Sequence, residues 1–183
     1  GDREIRFLNV EAASLTARLS VHSARCIEIS NDGRWMAFDS NNQICLVDLR
    51  QQQVARSWDA HFEGINDARF RADGKLLATV SQDRTLKLWS IPDGELTGSA
   101  PRTAAIRLAM TGDGRRIVTG GRDRMLRLWD GRATQSLWEF PLPTGAVRDL
   151  CFTLDDRRLV CLIGEHEILI LDGGASKQPL PVD

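Results

Sequence analysis

The feature that most narrows what this chain can become is a repeat. A turn residue recurs about every 41 residues, at Gly33, Gly74, Gly114 and Asp156, inside four related segments: ISNDGRWMAF, FRADGKLLAT, MTGDGRRIVT and FTLDDRRLVC. Downstream of each comes a second related run: NNQICLVD, QDRTLKLWS, RDRMLRLWD and GEHEILILD. The best-formed copy extends from His61 to Trp89. Its Ile65–Phe70 stretch is apolar, β-branched and partly alternating, which suits a strand. Asp73-Gly74 makes a tight turn, Leu76–Val80 is a second apolar run, and Gln82-Asp83-Arg84 interrupts it. Leu86, Leu88 and Trp89 then form a third strand, closed by Pro92-Asp93-Gly94. Self-similarity at this period, with several short strands per unit, predicts a row of small antiparallel sheets that bury their faces against one another.

On these residues the chain resembles the WD40-repeat β-propellers, over nearly its whole length and most closely in the second and third copies. The resemblance implies an all-β fold, a partial WD40 β-propeller of four-stranded antiparallel blades, cut from a larger, seven-bladed ring. The opening DREIRFLNVEAASLTARLS aligns with DRTLKLWSIPDGELTGSAP, so the chain enters at the third strand of a blade. The expected divisions are a half blade over residues 1–20 and four blades over 21–60, 61–101, 102–143 and 144–183. Gly173-Gly174, Pro179 and Pro181 disfavour a regular outer strand in the fourth. Stacked blades bury their middle strands on both faces, which accounts for the unbroken apolar runs LLATV and RIVTG. An opened ring also leaves two apolar faces uncovered. Missing blades or self-association are therefore expected at the ends.

A net charge of −1 and 42% hydrophobic residues give no electrostatic reason to expect a nucleic-acid or membrane partner. No apolar run approaches the length of a membrane span, and no signal peptide is visible. Cys26, Cys45, Cys151 and Cys161 fall in predicted strands without CxxC spacing and read as reduced, buried thiols of a cytoplasmic protein. His22, His61 and His166 are far apart in sequence and not at metal-ligand spacing. The GDGRR segment at Gly112–Arg116 is a hairpin turn without the third glycine and following helix of a phosphate loop. No catalytic, cofactor-binding or metal-binding residue is assigned, and no cofactor is expected.

The family resemblance places His61, Thr79, Asp83 and Trp89 in a buried hydrogen-bond tetrad. In it the histidine donates to the aspartate, and the threonine hydroxyl links the histidine to the indole N–H. Blade three retains Thr119, Asp123 and Trp129 but has Pro101 at the histidine position. Blade one has Phe38, Asn42 and Val47 in the other slots, and blade four Cys161, Glu165 and Leu171. Those blades are expected to rely on packing. Asp67 and Asp149 share a slot in blades two and four and are expected to bond turn amides. Trp129-Asp130-Gly131-Arg132 resembles the end of a box that binds a ubiquitin-ligase adaptor. The Asp130–Trp138 spacing resembles the tryptophan-docking motif of quinoprotein propellers.

The function implied is a non-catalytic scaffold that mediates protein–protein interaction through its loop face, with a protein or peptide partner. The candidate contacts are Phe62, Glu63, Gln82, Arg102 and Arg122. Two alternatives belong to other classes. One is the sensor or regulatory arm of a larger bacterial signalling enzyme, fused to a kinase, caspase-like or nucleotide-switch domain. The other, more remote, is a quinoprotein-like enzyme.

Overall fold

A computed structural model describes residues 3–9, 14–21, 24 and 26–172. Among them are seventeen strands and no helix. β1 (Arg3–Asn9) and β2 (Ser14–Val21) form a two-stranded antiparallel sheet. β3 (Ile27–Ile29), β4 (Trp35–Ser40), β5 (Gln43–Asp48) and β6 (Gln53–Asp59) form blade one. β7 (Ile65–Phe70), β8 (Leu76–Ser81), β9 (Leu86–Ser90) and β10 (Leu96–Ala100) form blade two. Blade three is β11 (Ala105–Met110), β12 (Arg116–Gly121), β13 (Met125–Asp130) and β14 (Ser136–Pro141). Blade four contributes β15 (Val147–Phe152), β16 (Arg158–Ile163) and β17 (Glu167–Asp172). The segment in which its outer strand was in doubt lies outside the described residues. Every pairing is antiparallel and every blade is a meander from inner to outer strand.

The sheets stack face to face, and each interface is an apolar cluster built from two neighbours. Ile44, Leu46 and Trp35 of blade one meet Ile65, Phe70 and Leu77 of blade two. Leu86 and Leu88 of blade two meet Leu108 and Ile117 of blade three, and Leu126 of blade three meets Leu150 and Leu159 of blade four. A fully buried side chain of this size contributes about 1.5–3 kcal/mol, so these seams hold the array together. The inner strands β3, β7, β11 and β15 are sequential neighbours at the hub.

The turns explain the repeat. Gly33, Gly74 and Gly114 all adopt left-handed φ near +66° to +70°, and Asp156 occupies the same conformation at +56°. Residues that tolerate this region close the short turn between first and second strands, where the Gly74 amide donates to Arg71 O and the Arg71 amide to Leu76 O. The turns also touch across blades: Asp156 Oδ2 accepts from the Gly112 amide at 2.9 Å, and Gly112 O accepts from the Ala72 amide at 3.3 Å.

Several expectations need correction. The inner strand of blade one is short, only Ile27–Ile29, because the Cys26 amide is diverted to Asp39 Oδ1 at 2.7 Å and Ser30 caps the following turn through Asp32. Asp67 does not bond turn amides. Its Oδ1 accepts from the adjacent Ala68 amide and its Oδ2 from the Leu108 amide of the next blade, each at 3.0 Å, so it clamps two inner strands together. Asp149 makes the first of these bonds, to the Leu150 amide at 2.9 Å. The thiols are not uniformly buried: Cys26 and Cys161 are, Cys45 is half-buried and Cys151 is exposed. Cys151 lies on the side of blade four turned away from blade three, with Leu162 and Ile168, which explains its exposure.

The two ends of the array also differ, where two apolar faces were expected. The outward side of blade four carries the exposed Leu162 and Ile168. At the other end, β1 and β2 cover Met36, Phe38 and Val47 of blade one with Ile5, Phe7 and Leu19. They turn outward the linked charges of Glu4, Arg6 and Arg18.

Candidate functional site

Antiparallel meanders sort the loops onto two ends of each blade. The turns from second to third strand, and from outer strand to the next inner strand, share one end, called here the loop face. On that face the connection before β7 carries His61, and the turn after β8 carries Asp83. His61 Nδ1 lies 2.9 Å from Asp83 Oδ2, and its Nε2 lies 2.8 Å from Thr79 Oγ1, which also accepts from Trp89 Nε1 at 2.9 Å. The geometry selects one proton arrangement: Nδ1–H donates to the carboxylate, Nε2 accepts from the Thr79 hydroxyl, and the indole donates to the same oxygen. His61 and Thr79 are buried.

The charges follow from burial. Desolvation lowers the His61 pKa below its ordinary 6.5 even though Asp83 opposes the shift, so the ring is neutral. Burial works to raise the Asp83 carboxyl, but the Thr85 hydroxyl, the imidazole and the Phe62 amide together hold it below the usual carboxylate range. The sequence reading missed Thr85, whose hydroxyl donates to Asp83 Oδ1 at 2.6 Å. The signal was present, because an Asp two residues before a Thr is the pattern of a side-chain-closed turn. Lys87 was missed as well. Its Nζ donates to Ala60 O at 2.6 Å and sits 5.6 Å from the ring centres of both Phe62 and Trp89.

Blade three solves the same problem differently. Trp129 Nε1 donates to Thr119 Oγ1 at 2.8 Å, as in blade two. With proline at position 101, Asp123 takes Arg127 as its partner, Nη1 to Oδ2 at 2.5 Å, and the same guanidinium reaches Thr103 O and Glu139. Arg127 occupies the slot of Lys87, two residues before the tryptophan, and pairs with a carboxylate where Lys87 bonds a backbone carbonyl. Thr103 is fully buried, and its hydroxyl has no hydrogen-bond partner among the described residues. In blade one Phe38 fills the threonine slot by packing, and Asn42 Nδ2 donates to Phe62 O at 3.1 Å, bracing the next blade's loop. In blade four Cys161 is buried in the seam while Glu165 is exposed. Asp130 is committed to its own turn, accepting from the Thr134 and Gln135 amides, and Trp138 stacks on Phe140 at 5.3 Å.

All five candidate contact residues lie on the loop face and are exposed. Phe62 is 89% exposed, an unusual position for a ring of that size, and its backbone is held by Asp83 and Asn42. Gln82 and Arg122 line one cleft of about 570 Å³ between blades two and three, together with Asn66, Arg84 and Ile106. Asn66 and Ile106 are the extra residues of β-bulges in β7 and β11, which turn them toward the cleft mouth. No hydrophobic pattern signals those bulges. Phe62, Glu63 and Arg102 do not line the cleft. Among the described residues, no group of three or more His, Cys, Asp or Glu is arranged to hold a metal ion. No described helix is long and apolar enough to cross a membrane.

The sequence pattern of the family "WD domain, G-beta repeat" matches residues 52–90 and 93–130. Over these two segments the chain carries WD40 repeats, and its four-stranded antiparallel sheets fit a fragment of that fold. Each matched WD40 unit starts at an outer strand and ends at the third strand of the next blade, so one sequence repeat bridges two sheets. Similar WD40 chains include "Periodic tryptophan protein 2" of Saccharomyces cerevisiae, 24% identical over 95 residues, which are 50% of this chain and 10% of that protein. "Transducin beta-like protein 3" of Rattus norvegicus is 40% identical over 62 residues, 34% of this chain and 8% of that protein. "Target of rapamycin complex subunit LST8" of Saccharomyces cerevisiae is 27% identical over 94 residues, 49% of this chain and 31% of that protein. The WD40 match thus spans less than a third of each of these relatives.

Proposed function

We propose that this WD40 chain is a non-catalytic scaffold that holds a protein or peptide partner against the loop face of blades two and three. The observation that carries the reading is the exposed Phe62 ring, which stands on a loop anchored by the tetrad, on the same face as an open cleft. An aromatic side chain on a rigid loop offers large contact area at low ordering cost. The cleft volume lies in the range that accommodates a peptide side chain or small ligand. The network below is directed inward and closed by Trp89, so it supports the loops and presents no nucleophile to solvent. Two buried thiols, each pushed up to about 12 chiefly by desolvation, suit the cytoplasmic setting proposed for the protein.

The test is to compare proteins that copurify with the wild type, with Phe62→Ala and with Gln82→Ala. Both variants are expected to keep the wild-type melting temperature and to lose a partner that the wild type retains. An unchanged set of partners would reject the loop face as the binding surface.

A further inference from the structure

Arginines stand at both ends of the blades. Where first and second strands are joined, several are paired, while Arg50, Arg116, Arg132 and Arg157 on that end form no ion pair with any described residue. Arg71 grips Asp73 through Nε and Nη2, each at 2.8 Å, and Arg115 lies 3.6 Å from Asp113. On the same end Arg34 lies 3.6 Å from Asp48, and Arg158 lies 3.6 Å from Asp172. On the loop face, Arg84, Arg102, Arg122 and Arg124 are exposed, and none forms an ion pair with any described residue.

The cause is local. The two acids adjacent to these arginines are already committed, Asp83 to His61, Thr85 and the Phe62 amide, and Asp123 to Arg127 and the Met125 amide. Glu63, also exposed on this face, is not part of the cleft wall. The cleft between blades two and three therefore contains two arginines, Arg84 and Arg122, with Gln82 and Asn66 as further polar groups and no carboxylate among the described residues that line it. Ile106 and Ala104 supply an apolar wall.

The backbone at these arginines is fixed. Arg84 is held at φ +64° by its amide bond to Ser81 O at 3.1 Å, and its carbonyl accepts from the Thr103 amide of the next loop at 3.0 Å. Arg122 follows Gly121, which tolerates no side chain because a Cβ there would lie 1.9 Å from Ala104 O. Two guanidinium groups thus extend from rigid roots into one concavity that nothing in the described chain neutralises. Guanidinium forks match carboxylate and phosphate oxygens bidentately, and arginine tolerates partial desolvation.

We propose that this cleft receives an anionic side chain of the partner peptide, a carboxylate or a phosphate, between Arg84 and Arg122, with its stem against Ile106. The proposal rests on the reading of the loop face as the partner surface and adds the chemistry of the partner.

The experiment is selection of a displayed library of random dodecapeptides on the full chain, on the Arg84→Ala/Arg122→Ala double variant and on Arg115→Ala. Acidic residues are expected to be enriched on the wild type and on Arg115→Ala, and not on the double variant, which melts like the wild type because both side chains are exposed. Affinity for an enriched peptide should fall about tenfold for each cleft arginine removed, and should weaken with salt. Replacing the acidic positions of that peptide by phosphoserine strengthens binding if phosphate is the natural anion and weakens it if carboxylate is. Either result supports the proposal, provided that glutamine at those positions abolishes binding. Failure to enrich acidic peptides, equal enrichment on the double variant, or full binding of the glutamine peptide would overturn it. Neutral peptides that still require Phe62 would leave the scaffold reading standing while removing the anion.

Discussion

Blades two and three are built from nearly the same strands, yet they hold their loops by different chemistry. Blade two places a neutral imidazole between Asp83 and Thr79 and closes the network with Trp89. Blade three keeps the threonine–tryptophan bond, gives its aspartate to Arg127, and leaves the Thr103 hydroxyl buried with no hydrogen-bond partner among the described residues. The first network is dry. The second is reached by solvent, with the Asp123 side chain 26% exposed and Arg127 14%. The difference shows how one fold tolerates loss of a network member: an adjacent long side chain takes over the charge, at the cost of one orphaned hydroxyl.

The largest effect is expected at His61. Replacing it by alanine leaves Thr79 and Asp83 without their buried partner and should cost about 3 kcal/mol, seen as a drop of several degrees in melting temperature. A melting temperature within a degree of the wild type would mean that the blade-two network carries no more stability than a surface contact. Arg127→Ala should cost less, about 1–2 kcal/mol, because its ion pair is partly hydrated, and the loss should shrink in high salt. Equal salt sensitivity in both variants would erase the contrast drawn between the blades.

Two threonines of blade three should respond in opposite directions. Thr119→Val removes the acceptor of the Trp129 indole and should destabilise by about 1 kcal/mol, whereas Thr103→Val removes an unpaired buried hydroxyl and should stabilise by up to about 1 kcal/mol. Denaturant titration of both variants checks the signs. The smallest effect is in pH. Because His61 titrates below 6.5 in the fold, the unfolded chain binds a proton that the folded chain refuses as pH falls through that value. The stability due to the neutral ring is complete above about pH 6.5 and declines below it. The wild type should therefore lose more melting temperature between pH 7.5 and 5.5 than His61→Gln does.

Much of this was legible in the residues. Turn glycines at a constant period, the apolar runs between them and the Thr–Asp–Trp spacing are local signals, and they set the strands and the register of the blade-two network. Thr85 was legible too, as an Asp-x-Thr turn. The Asp67 clamp was not, because its partner is the Leu108 amide, 41 residues away in the next blade, and a backbone amide leaves no mark in sequence. The pairing of Arg127 with Asp123 was equally hidden, since Glu139 and Asp123 were both within reach of any basic residue at that position.

What the amino-acid order determined by itself is the unit: three or four short strands, the bends between them and the inward network of blade two, all set by contacts within one repeat. What only the tertiary structure decided is everything that forms between units. That includes the Asp67 clamp on the Leu108 amide of the next blade, and the cleft between blades two and three that brings Arg84 and Arg122 together. The physical reason is that apolar periodicity encodes which face of a strand is buried, whereas groups that meet across a seam, such as Asp67 and the Leu108 amide, belong to different repeats.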